Sequence, residues 1–155
     1  MEDLIQYIHN IISESNNQIN DKILGVNYLE KLKYLLIDKL KTFKITSIKD
    51  IENLQNEEIR ITHSQNNLLI KFESNSNPLS KIKNIIHDDC LSIILNGSKS
   101  IRIHENLDSS ESQPINLFPN TGIVLSKATV ISESISKETI LINIFNIRGD
   151  IDIEN

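Results

Sequence analysis

The chain of 155 residues has no tryptophan, one cysteine, four glycines and three prolines, and these scarcities close off several classes of protein. A single cysteine, Cys90, rules out a disulfide within the chain and suits a reducing compartment. Aromatic residues make up 5% of the sequence and the net charge is -5, so the basic surface with stacking rings that nucleic acid requires is missing. No apolar run approaches the roughly 18 residues of a membrane span. The opening MEDLIQYIHN is acidic and lacks the basic segment and long apolar run of a secretory signal. Gly-rich phosphate loops, Gly-x-Ser-x-Gly and Cys-x-x-Cys are absent too. The expectation is a cytoplasmic protein with neither a nucleic-acid nor a membrane partner.

What is present divides into two parts. Leu4, Ile5, Ile8, Ile11 and Ile12 recur at helical spacing, so a helix is predicted over 4–12, followed by a polar loop over 13–20. A second helix is predicted from Asn27, which would cap it with Glu30 reaching back, and its apolar stripe is Tyr28, Leu29, Leu32, Leu35, Leu36 and Leu40. Its lysines alternate with Glu30 and Asp38, the pattern of a solvated face. A short helical turn is predicted over 47–54 from Ile48, Ile51 and Leu54.

From residue 57 the period changes to two. Strands are predicted at 59–62 and 68–72 around an Asn66-Asn67 turn, then at 82–86, 90–96, 99–104, 114–118, 122–125, 128–133 and 138–147. Nine short strands with no helix among them argue for an antiparallel sandwich or jelly roll and against parallel βαβ units. The organisation is a helical extension over residues 1–55 packed on a mainly β unit over 56–155, in a single domain.

The stretch HDDCLSIILNGSKSIRIHE, from His87, supplies the central strand pair and its tight Asn96-Gly97 turn. Leu91, Ile93 and Leu95 occupy one face of the first strand and Cys90, Ser92 and Ile94 the other, so both faces are expected to be buried. Burying three such side chains is worth about 5 kcal/mol. The N-terminal helices or a second subunit would have to cover the Leu91 face.

These motifs, together with LFPNTGIVL at 117–125, resemble the cupin superfamily over residues 57–147. The resemblance implies an antiparallel double-stranded β-helix, the jelly-roll barrel, and a tendency to form homodimers. It also implies a metal site of two histidines one residue apart, a glutamate before the turn glycine, and a later histidine. With Gly97 as that glycine, Cys90 stands at the glutamate position, Asn84 and Ile86 or their neighbours stand at the histidine positions, and no histidine follows Gly122. A metal site of the usual kind is therefore not expected.

His87-Asp88-Asp89 is similar to the His-x-Asp iron pair of the 2-oxoglutarate-dependent dioxygenases, with Arg148 in a position to mimic their co-substrate arginine. No histidine follows His104 to complete that set. A polar turn entering a strand is the plainer account of the triplet.

His63 precedes a turn and His9 lies on a helix, so neither is expected to be a ligand. Cys90, flanked by Asp88 and Asp89, is expected to be buried and inert.

The leading expectation is a roll without the usual metal, binding a small polar molecule at its mouth through His87, Asp89, Ser92, Arg102 and His104, or serving a structural or regulatory role. The alternative is an enzyme: a metal-dependent isomerase or an oxygenase holding iron, nickel, manganese or zinc on His87, Asp89 and His104.

Overall fold

The computed structural model describes residues 4–41, 58–63, 65–109 and 112–147. The helical turn expected at 47–54, Arg148 and the side chain of His63 lie outside the described residues.

Two helices come first, α1 (Leu4–Asn16) and α2 (Gly25–Leu40). α1 runs four residues past its expected end. Ser15 Oγ donates back to the Ile11 carbonyl at 2.7 Å, and Asn16 accepts the Tyr28 hydroxyl, so two polar residues are buried with partners inside the helical pair.

α2 begins two residues before Asn27, and the expected Asn27/Glu30 capping box does not form. Leu24 stands at the cap with no side-chain bond, while Glu30 pairs with Lys33 at 3.0 Å. The cap comes from a distant strand. Asn66 Oδ1 accepts from the Gly25 amide at 3.3 Å, and Asn66 Nδ2 donates to the Ile23 carbonyl at 3.0 Å. Asn66 is therefore a buried clamp and not a turn residue. It pairs with His63 in the ladder, and Asn67 pairs with Thr62.

Nine strands follow: β1 (Glu58–His63), β2 (Asn66–Asn75), β3 (Leu79–Ile85), β4 (Asp89–Asn96), β5 (Lys99–His104), β6 (Ser112–Leu117), β7 (Gly122–Leu125), β8 (Val130–Ile135) and β9 (Thr139–Asn146). β8 starts two residues later than expected because Ala128 is held at φ 74 in the preceding turn, a conformation no strand residue adopts. The Asn96-Gly97 turn forms as expected. Gly97 sits at φ 79, and a Cβ there would lie 2.7 Å from the Thr139 Cα.

All pairing is antiparallel and nested: β2 with β9, β3 with β8, β4 with β7, β5 with β6. The chain is a two-stranded ribbon doubled back between β5 and β6 and wound so that its segments alternate between two sheets, which is a jelly roll. The sheets run β1-β2-β9-β4-β7 and β3-β8-β5-β6. They face one another as a sandwich instead of closing into the expected barrel. The edges explain this: β7 has only four residues, and β3 is bent by a register shift between Lys81 and Asn84.

Two apolar layers result. Between the sheets lie Ile94, Leu125 and Leu141 from the first and Ile101, Leu117 and Ile131 from the second. On the outer face of the five-stranded sheet, Leu68, Ile70, Phe72, Leu91, Ile93, Ile140, Ile142 and Ile144 form one core with the stripes of α1 and α2. The cover that the Leu91 face demanded is supplied by the helices. No helix among the described residues is long and apolar enough to cross a membrane.

Candidate functional site

Strand alternation places every second side chain of β4, β5, β8 and β9 between the sheets. Toward the end of the sandwich where β3 runs into β4, those side chains do not meet, and a cavity of about 310 Å³ remains. That is at the small end of the range for ligand sites.

The register sorts its walls into bands. In the five-stranded sheet, Cys90 pairs with Leu125 on one side and Phe145 on the other, and one inward step along gives Ser92 beside Asn143. In the four-stranded sheet, Asn84 pairs with Ile131, and the neighbouring inward rung pairs Lys81 with Glu133. A mainly apolar collar of Leu125, Ile131, Phe145 and Ile86, interrupted by Asn84 beside Ile131, thus lies next to a polar floor of Ser92, Asn143, Glu133, Lys81 and Lys99. Ile94, Leu141 and Ile101 pack together beyond the floor.

Four charges form a chain along that floor. Lys99 Nζ lies 2.9 Å from Glu133, Lys81 Nζ lies 3.6 Å from Glu133 and 2.9 Å from Glu73, and Asn143 Nδ2 donates to Glu73 at 3.4 Å. Lys99 is only 4% exposed. Burial alone would raise the Glu73 carboxyl, but the hydrogen bond and charge of Lys81, with Lys99 beyond, hold it below its ordinary value. Burial likewise opposes the charge on Lys81, and Glu73 and Glu133 outweigh it, so this ammonium is held above its ordinary value. Two lysines and two glutamates leave no surplus charge.

Ser92 is the exception to this satisfaction. The residue is 2% exposed, and its Oγ has no hydrogen-bond partner. Cys90, two residues before it on the strand, is buried as expected, and burial pushes the thiol up to about 12, opposed by Lys99 and reinforced by Glu133 and Asp88.

The residues singled out from sequence are scattered. Ser92 lies on the floor, and His87 is exposed at the mouth. Asp89 Oδ1 accepts the Lys127 amide at 2.9 Å and so braces the turn containing Ala128. Arg102 and His104 are out of phase with Lys99, Ile101 and Ile103, which places them on the outer face of the four-stranded sheet. There Arg102 donates to Ser112 Oγ at 3.0 Å, and His104 Nε2 lies 2.8 Å from Ser132 Oγ.

The alternative ligand set of His87, Asp89 and His104 is therefore not assembled. Among the described residues no three His, Cys, Asp or Glu side chains come together as metal ligands would. Glu133, the carboxylate on the cavity floor, is already engaged by Lys99 and Lys81, which leaves it unsuited to a divalent cation.

Lys81, Lys99, Glu73, Glu133 and Asn143 were not anticipated. The available signal was phase. Lys99 shares the parity of Ile101 and Ile103, Glu133 that of Ile131 and Ile135, and Asn143 that of Leu141 and Phe145.

No family model matches the sequence, and no curated protein is similar to it in sequence. Solved structures of similar shape include a cupin superfamily protein from Desulfitobacterium hafniense, with 18% identity and a TM-score of 0.46 over 68% of this chain and 92% of that one. A protein from Bacillus halodurans gives 12% identity and a TM-score of 0.49, over 68% of this chain and 80% of its own. The TDP-fucose-3,4-ketoisomerase WlaRA of Campylobacter jejuni gives 24% identity and a TM-score of 0.41, over 50% and 58%. The fold is a jelly roll. The nested strand pairing, and not these distant likenesses, carries that statement.

Proposed function

We propose that this jelly roll is a small-molecule-binding protein whose ligand occupies the cavity between the sheets. The observation that carries the reading is Ser92: a buried hydroxyl without a partner, on the floor of a 310 Å³ space, beside side chains that are otherwise paired. A buried polar group left alone costs about 1–3 kcal/mol, and a molecule in the cavity that bonds to it would offset that cost. The ion-pair chain holds the floor in one geometry, which suits recognition of a specific shape.

The test is thermal unfolding of the wild type and of Ser92→Leu with a panel of small hydroxyl- and amide-bearing compounds. A compound that binds the folded state raises its midpoint. The reading expects compounds that stabilise the wild type and leave the leucine variant, whose floor is filled, unmoved. Equal stabilisation of both proteins, or none of either, would refute it.

A further inference from the structure

We infer that the cavity selects an uncharged, amphipathic molecule: a hydroxyl, carbonyl or amide head seated on the floor and a short hydrocarbon tail against the collar. This rests on the reading of the cavity as the ligand site and names the class of molecule it takes.

The tail follows from the order of the bands. The collar of Leu125, Ile131 and Phe145 lies between the polar floor and the mouth at Ile86 and His87. A molecule entering from the mouth leaves its trailing part against hydrocarbon, which favours an apolar tail. Beyond the floor Ile94, Ile101 and Leu141 pack together, so the head of the molecule stops at the polar band.

The absence of charge follows from the ion pairs. A carboxylate head would find Lys81 and Lys99 already held at 2.9 Å by Glu73 and Glu133, and would place three carboxylates against two ammonium groups, of which Lys99 is nearly enclosed and Lys81 is half-exposed. An ammonium head at Ser92 would stand against Lys81 and Lys99 with both floor glutamates already paired, while the third carboxylate, Asp88, lies with His87 at the mouth. A neutral head disturbs neither pair, since Ser92 Oγ can both donate and accept.

Amide NMR of the full chain tests this with three probes that share one tail: hexanamide, hexanoate and hexylammonium at neutral pH. Hexanamide should shift the amide signals of Ser92, Asn143 and Phe145 and bind about tenfold or more tightly than either ion. Ser92→Ala should weaken hexanamide about fivefold, the loss of one hydrogen bond, and leave the ions unchanged. Equal or tighter binding of an ion at the same signals would overturn the choice of a neutral head and leave the site standing. Failure of all three to move these signals would overturn both the class of ligand and the site.

Discussion

Lys99 Nζ and Glu133 Oε1 lie 2.9 Å apart on adjacent strands, both facing the space between the sheets and both nearly enclosed. Removing one partner leaves the other charge buried with less to hold it. Lys99→Met is expected to cost about 3 kcal/mol, because Glu133 retains only Lys81 at 3.6 Å. The double variant Lys99→Met/Glu133→Leu should lose less than the sum of the two singles, by about 1–3 kcal/mol. Urea denaturation of the four proteins measures the coupling, and additive losses would show that the pair is not one unit.

The floor also sets a pH dependence. Glu73 is held below its ordinary 4.5, so its contribution is complete above that value and is lost as pH falls through the lower folded-state value. Lys81 is held above its ordinary 10.5, so its contribution is complete below that value and is lost as pH rises through the higher one. Stability should be flat between about pH 5 and 10 as far as this pair is concerned, and Glu73→Gln should flatten the acid limb. Chemical denaturation from about pH 2 to pH 12, which takes in both limbs, is the check.

Asn66 joins three elements, accepting from Gly25 and from Asn146 at 2.9 Å while donating to Ile23. Asn66→Leu should destabilise by about 2–4 kcal/mol, more than loss of a single hydrogen bond, and should speed hydrogen exchange at the start of α2. Removing residues 1–41 altogether uncovers Leu91, Ile93, Ile142 and Ile144, and the truncated protein should aggregate instead of remaining a folded roll.

Two turns with similar backbone angles should respond in opposite ways. At Gly97 an added Cβ meets the Thr139 backbone at 2.7 Å, so Gly97→Ala should cost about 2 kcal/mol or more. At Ala128, φ 74, the side chain already bears the left-handed strain, so Ala128→Gly should be neutral or stabilising by up to about 1 kcal/mol. Thermal midpoints of the two variants decide it.

Much of this fold was legible because its strands are amphipathic in a simple sense. KSIRIH, GIVL and the two-sided DCLSIILN show where strands lie and which need cover on both faces. The bounds of α2 were not legible, because its cap is a residue 41 positions away from Gly25, and local capping rules cannot see Asn66. The site was read through residue type, which favoured His87, Asp89, Arg102 and His104. The fold reads it through phase, and charged residues in step with buried isoleucines turned out to form the floor. Ser92 was singled out by type and also has the phase of the floor.

The most direct measurement is a crystal structure of the full chain grown with hexanamide. We expect the molecule between the sheets, with its head within about 3 Å of Ser92 Oγ and its tail against Phe145. A collapsed cavity, or a Ser92 hydroxyl bonded to a protein group with no room beside it, would contradict the account.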